Sequence, residues 1–303
     1  MKNLLITGHT GFIGSHLVNL LKKKFNVIGL SRNTQKNSDI IQIKGDIRKI
    51  TVKKLPKKLD YIIHNAAMTD LVYSKNNPIE CFDINFHGTQ NMLEISRKLN
   101  TKFFFISTHH VYGKPETTPV KETSLLNPTS IYSGSKSAAE QIALSYSSSF
   151  NMDVSLLRLF SVYGPKSPEY LVTTKLISQL VNNSNFKAGN LFPKRDFIYI
   201  DDVVSAIKKI IDKSHGSNTY NIGTGKSHSI LEVCNILNKI GNKKMKVKSV
   251  KSLSRKSDVL DIFANNEKLK KLGWKPKISI TTGLKLTYDW YLSESKFRSD
   301  ELL

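Results

Sequence analysis

The sequence predicts a doubly wound α/β fold: a parallel sheet with helices on both faces and a smaller C-terminal α/β region. Three observations carry the prediction. Short apolar runs alternate with amphipathic helical stretches from the first residue, the first run leads directly into a glycine-rich turn, and no Pro-, Gly- or Ser-rich linker, repeat or low-complexity tract divides the 303 residues. Asn3 to Thr7 reads as a buried strand, followed by an amphipathic helix from about Phe12 to Lys23 and a second strand from Asn26 to Leu30. Asp60 to His64, Phe103 to Ser107 and Val154 to Leu159 have the length and apolar character of further buried strands. Helical periodicity covers Asn85 to Leu99 and Ser133 to Ser147. Beyond Gly164 the pattern loses regularity. The expected division is residues 1–164 and 165–303, with residues 194–225 returning to the first domain.

Composition narrows the class. With 39% apolar and 23% charged residues the chain reads as an ordinary globular protein. The opening MKNLLITGHTG is too short an apolar run for a secretory signal, and no stretch approaches the ~20 apolar residues of a membrane span. Cys81 and Cys234 stand far apart and offer neither a disulfide framework nor metal spacing, so a cytoplasmic location and no metal are expected. Against 24 acidic residues stand 46 Lys and Arg, a formal charge of +22. These bases sit in short scattered groups, with no long basic tail and no aromatic-interleaved RNA-binding motif. A nucleic-acid partner is therefore not expected, and the field serves to attract an anionic substrate.

The turn Thr7-Gly8-His9-Thr10-Gly11-Phe12-Ile13-Gly14 leaves a strand and opens a helix. Gly8 and Gly11 let backbone approach a pyrophosphate, whose charge the helix N-terminus favours, and Gly14 permits close packing of helix on sheet. A dinucleotide is the expected cofactor. At the end of the second strand, where an NAD site usually carries Asp or Glu for the ribose 2′-hydroxyl, this chain has Ser31 and Arg32. A hydroxyl and a guanidinium suit a 2′-phosphate, which favours NADP over NAD. The alternative for Arg32 is a solvated loop residue.

Tyr132 and Lys136 lie four residues apart, on one face of a helix. A free phenol titrates near pH ~10, and a neighbouring ammonium is expected to bring it down for acid–base work at a carbinol. A hydroxyl at the end of Phe104-Phe105-Ile106-Ser107-Thr108 can polarise the substrate oxygen.

These motifs, with HNAA at His64 to Ala67, ISTHHVYG at Ile106 to Gly113, YSGSK, RLFSVYGP at Arg158 to Pro165 and KRDFIYIDDV at Lys194 to Val203, come in a telling order. Along nearly the whole chain the sequence resembles the extended short-chain dehydrogenase/reductases, the nucleotide-sugar epimerases, dehydratases and reductases built on a Rossmann domain. The resemblance implies that Gly8, Gly11, Phe12 and Ile13 contact the pyrophosphate, that Asp46 and Ile47 flank the adenine, and that Ala66 and Ala67 lie along the cofactor. It implies Thr108, Tyr132 and Lys136 as the catalytic set, with Val111-Tyr112-Gly113 as the ruler that selects Thr108 over Ser107. A homodimer formed through the helix bearing Tyr132 is likewise implied.

Two departures bear on the activity. Relatives that dehydrate sugars carry Asp-Glu directly after this Thr, whereas His109-His110 stand here, which speaks against a dehydratase. His109 is expected near the substrate, with loop packing as its alternative. Ser161 stands where relatives often have a substrate-contacting Asn. The segment Gly189 to Phe197 resembles the GNL…RDF of GDP-sugar enzymes, and Arg255 to Val259 resembles a stretch of GDP-4-keto-6-deoxymannose reductases. Arg195 and Arg255 are thus the expected diphosphate ligands of a nucleotide sugar, with surface ion pairs as the alternative. The reading favoured is reduction of a nucleotide-linked 4-keto-6-deoxy sugar with NADPH, ahead of redox-neutral 4-epimerisation. A non-catalytic NADP(H)-sensing or RNA-binding member ranks last, because Tyr132 and Lys136 are both retained.

Overall fold

In the computed structural model, which describes residues 1–36, 38–253 and 259–300, strand and helix alternate much as the periodicity demands. The first half runs β1 (Asn3–Thr7), α1 (Phe12–Leu21), β2 (Asn26–Ser31), β3 (Ile41–Lys44) and β4 (Tyr61–His64). It continues with α2 (Leu71–Asn76), α3 (Pro78–Phe82), α4 (Gly88–Leu99), β5 (Lys102–Thr108), α5 (Ile131–Phe150) and β6 (Val154–Leu159). The second half contains β7 (Ser161–Tyr163), α6 (Val172–Val181), β8 (Phe186–Ala188), β9 (Lys194–Arg195), β10 (Phe197–Tyr199) and α7 (Ile200–Lys213). It closes with β11 (Asn218–Ile222), β12 (His228–Ser229), α8 (Ile230–Ile240), β13 (Val247–Ser249), β14 (Asp261–Ile262), α9 (Glu267–Lys271) and α10 (Ile280–Asp300).

A seven-stranded parallel sheet in the order β11-β6-β5-β4-β1-β2-β3 forms the frame. Because side chains alternate across a strand, both faces must be apolar where both carry helices. Leu4, Ile6 and Phe104 accordingly point into one core with Leu17 of α1 and Val203 of α7. Leu5, Phe103 and Phe105 point into the other, against Met92 and Leu93 of α4 and Ala139 and Ala143 of α5. The connections diverge between β1 and β4, and the crevice above their carboxyl ends is where this topology binds ligands.

Three helices are bounded differently from expectation, and β2, β4 and β5 shift by one residue at one or both ends. Helix α1 stops at Leu21, and Lys22 to Lys24 form a turn. The helix expected from Asn85 begins as a π turn over Asp83–His87 before α4 proper. Helix α5 starts earlier, at Ile131, because Ser130 and Ser133 form a reciprocal capping box, and it ends at Asn151 in a left-handed conformation. In the C-terminal region β9 pairs with both β12 and β14. Buried Asp196 ties these segments together by accepting hydrogen bonds from Thr224 N (2.8 Å), Gly225 N (2.9 Å) and Ala264 N (3.1 Å). No helix among the described residues is long and apolar enough to cross a membrane.

Candidate active site

One cleft of about 1060 Å³ runs over the carboxyl ends of the central strands and across to the C-terminal region. Its floor begins at the glycine turn. Gly8 takes φ +67°, donates to Leu30 O at 2.8 Å, and lies so close to the loop after β4 that a Cβ would sit 2.9 Å from Ala66 Cα. A Cβ on Gly14 would lie 2.1 Å from Gly8 O. Gly11 is the N-cap of α1 without any side-chain cap, and the first turn carries no acidic residue. Phe12 and Ile13 line the cleft at that point. This end of α1 therefore presents unpaired amides and a positive dipole end to whatever anion enters, which fits a pyrophosphate.

The turn is braced from behind by a chain of hydrogen bonds. Thr7 Oγ1 accepts from Asn65 N and Ala66 N, each at 3.0 Å, and so is left to donate to His64 Nδ1 at 2.9 Å. His64 Nε2–H in turn donates to Thr89 Oγ1 at 3.0 Å, and Thr89 donates to Asn85 O at 2.6 Å. One neutral tautomer satisfies every partner, and burial holds the imidazole near a pKa of about 3.

At the far end, Ser31, exposed Arg32, Asp46 and Ile47 line the cleft, and Ala66 and Ala67 lie midway. The Ser31 hydroxyl donates to Asn33 O, closing the turn after β2. The acids here are already engaged. Arg48 grips Asp46 through Nε at 3.0 Å and holds its carboxyl down at about 2, while Glu80 accepts from the Tyr73 hydroxyl at 3.1 Å.

Tyr132 lies in the first turn of α5, buried, and Lys136 one turn later. Thr108 ends β5 and caps the following turn, accepting from His110 N at 3.2 Å. The expected lowering of Tyr132 by Lys136 is corrected here. Burial pushes the phenol upward, and a hydrogen bond from Thr108 opposes this only in part. The Lys136 ammonium instead donates to Ile106 O at 2.7 Å and lies 3.9 Å from the centre of the Phe105 ring. Burial brings that ammonium down to about 7. Without a bound dinucleotide, Tyr132 is thus a neutral proton donor.

His109 is buried, stacks on Phe160 with centroids 5.1 Å apart, and donates through Nδ1 to Leu159 O at 3.2 Å. Burial first, then the charge of Arg195, keeps it neutral down to about pH 4. His110 lies edge-on to Tyr132, centroids 6.0 Å apart, and also lines the cleft. Ser161 and half-buried Arg195 line the opposite wall, with Arg195 donating to Val259 O at 2.6 Å. Arg255 lies outside the described residues. Sequence reasoning missed Tyr170, which reaches across the cleft to Thr69 at 2.5 Å, and Lys175 on α6. No motif marks either residue, because the first contact joins loops 101 positions apart. Among the described residues no cluster of His, Cys, Asp or Glu could hold a metal.

The model of the GDP-mannose 4,6 dehydratase family matches residues 5–287. The chain belongs to the NAD-dependent epimerase/dehydratase family. A putative UDP-glucose 4-epimerase of Methanocaldococcus jannaschii is 32% identical to this family member over 308 residues, covering 97% of this chain and 99% of that protein. The Thermotoga maritima UDP-glucose 4-epimerase solved with UDP-glucose superposes with a TM-score of 0.89 at 28% identity, covering 97% of this chain and all (100%) of that one. The Bacillus cereus UDP-glucuronic acid 4-epimerase, solved with UDP-glucuronic acid and NAD, gives 0.90 at 28% identity, with coverage of 97% and 100%. The chain is thus similar to nucleotide-sugar enzymes, one of them solved with NAD.

Proposed function

We propose that this family member reduces the C4 carbonyl of a nucleotide-linked 4-keto-6-deoxy sugar, with NADPH as reductant. The observation that carries the reading is the ribose end of the cleft, where β2 ends without a carboxylate, exposed Arg32 lines the wall, and the nearby Asp46 and Glu80 are engaged by Arg48 and Tyr73. A guanidinium there favours a 2′-phosphate. Two further points support reduction. His109 and His110 replace an acid–base carboxylate pair, and Tyr132 starts as a protonated phenol.

The dinucleotide would supply the hydride. Tyr132 would give its proton to the carbonyl oxygen as the alcohol forms, and Thr108 would hydrogen-bond that oxygen and stabilise the phenolate left behind. Lys136 would hold the nicotinamide ribose. Arg195, Arg255, Ser161 and His109 would form the wall for diphosphate and sugar, with Arg255 assigned on sequence alone. Association through the face of α5 would give a homodimer.

Purified protein given NADPH and a nucleotide-linked 4-keto-6-deoxy sugar should consume the two in equal amounts. A second reading, redox-neutral 4-epimerisation, is favoured by the names of the similar enzymes. Interconversion of two nucleotide sugars with retained NAD and no net cofactor turnover would replace the first reading by the second.

A further inference from the structure

The bond between Tyr170 and Thr69 joins opposite walls of the cleft, and its two sides are held very differently. Thr69 stands on a fixed post. The buried Asn85 carboxamide clasps the residue before it, accepting from Met68 N at 2.8 Å and donating to Met68 O at 2.9 Å. Asp70, the residue after it, caps α2 by accepting from Val72 N at 2.7 Å and Tyr73 N at 3.1 Å.

Tyr170 belongs to a strap, residues 164–171, that leaves β7 and leads into α6. The first half of the strap is anchored from three helices. His16 of α1 donates through Nε2 to Pro165 O at 3.1 Å, and Tyr291 of α10 donates to Ser167 O at 2.8 Å. The buried Ser167 hydroxyl meets that of Thr174 on α6 at 2.7 Å. Past Ser167 the chain turns once, with Leu171 N donating to Pro168 O at 3.1 Å, and Tyr170 reaches from that turn to Thr69 at 2.5 Å. Thr69 is exposed and Tyr170 half-buried, so water can take the place of either partner when the bond opens. Both residues line the same cleft as Thr108, His110 and Tyr132. A strap with a fixed base and a tip that is free to swing thus bridges the walls between which a ligand must pass.

We propose that Tyr170 is the tip of a gate: its bond to Thr69 closes the cleft and must open for a nucleotide sugar to enter or leave. A bond made alike in the empty and the filled cleft does not change affinity; it changes the rates of entry and exit together. The proposal rests on the reading of the cleft as a nucleotide-sugar site, and the two fail differently.

The test mixes the protein, loaded with NADPH or NADH, with UDP-glucose, GDP-mannose, CDP-glucose or dTDP-glucose in a stopped-flow instrument, with binding followed by the fluorescence of the cofactor. Binding of none of the four to wild type would overturn the reading of the site and the gate with it. For a sugar that binds, Tyr170→Phe and Thr69→Val should each speed association and dissociation together by about two- to tenfold, with Kd within about twofold of wild type. Thr69→Ser keeps the hydroxyl and should keep wild-type rates. The double variant Tyr170→Phe/Thr69→Val should be no faster than either single one, because both remove the same bond. Unchanged rates in a folded single variant overturn the gate, as do single effects that multiply in the double variant. A weaker Kd with unchanged association overturns it as well, because Tyr170 then acts by touching the ligand.

Discussion

Replacing Gly14 by Ala isolates the contact on which the glycine turn, proposed to hold the dinucleotide, depends. The added Cβ would lie 2.1 Å from Gly8 O and 2.8 Å from His9 Cα. An ordinary carbon–oxygen approach is about 3.3 Å, so the turn and α1 must part by roughly 1 Å. Both neighbours are backbone atoms, and no rotamer change can relieve them. Alanine gains about 0.8–1 kcal/mol of helix propensity over glycine, whereas overpacking a tight contact costs about 1–3 kcal/mol. The net expectation is a loss of about 1 kcal/mol or somewhat more, readable as a lower urea midpoint with unchanged slope. The cofactor should suffer more than the fold. A displacement of about 1 Å in a positioned group can cost on the order of 100-fold. Titration with NADPH and NADH by fluorescence should show the Kd for both rising at least about tenfold, since the pyrophosphate is common to them. Wild-type affinity for both dinucleotides together with wild-type stability would refute the placement of the pyrophosphate at this turn.

Other expectations concern single groups. Tyr132→Phe should lower kcat by about 10²–10⁴ while leaving cofactor Kd within about twofold, as measured by steady-state kinetics and titration. Arg32→Asp should reverse cofactor preference, weakening NADPH by about tenfold or more relative to NADH, and equal loss for the two would remove Arg32 from the 2′ position. His64 and His109 stay neutral in the folded protein to about pH 3 and about 4 respectively, well below the unfolded value of about 6.5. The unfolded chain therefore binds more protons as pH falls. Their stabilisation is complete above about pH 6.5 and drains away below it, at up to about 1.4 kcal/mol per pH unit for each histidine. Urea unfolding of wild type and His64→Asn between about pH 6.5 and 4.5 should give a shallower slope in the variant.

The sequence made the frame and the ends of its strands readable because both are local properties. Period-two alternation marks Leu4, Leu5 and Ile6 as residues of opposite faces, and a glycine turn between strand and helix is a contiguous signal. Thr108, Tyr132 and Lys136 were legible for the same reason, each within a short segment whose secondary structure fixes where it faces. Properties set by the assembled fold were not. The proton affinity of Tyr132 depends on burial, and the partner of Lys136 proved to be a carbonyl of β5. The Glu140–Arg158 pair joins helix to strand across 18 positions, and the bond of Tyr170 to Thr69 spans 101. Neither separation repeats in a way that a sequence pattern could reveal.

Strand β11 lies at one edge of the main sheet, although its sequence falls far beyond the other six strands. It covers β6 in parallel register from Asn218 to Ile222, and α7, just before it, packs on α1. A fragment stopping near residue 164 would expose the whole edge of β6 and strip an apolar face from α1, a template for association with other chains. On the ribosome the first six strands must wait for residue 222 to emerge before the sheet can close. The N-terminal and C-terminal halves of the chain are therefore interleaved, and neither can be transplanted as a module by a single cut.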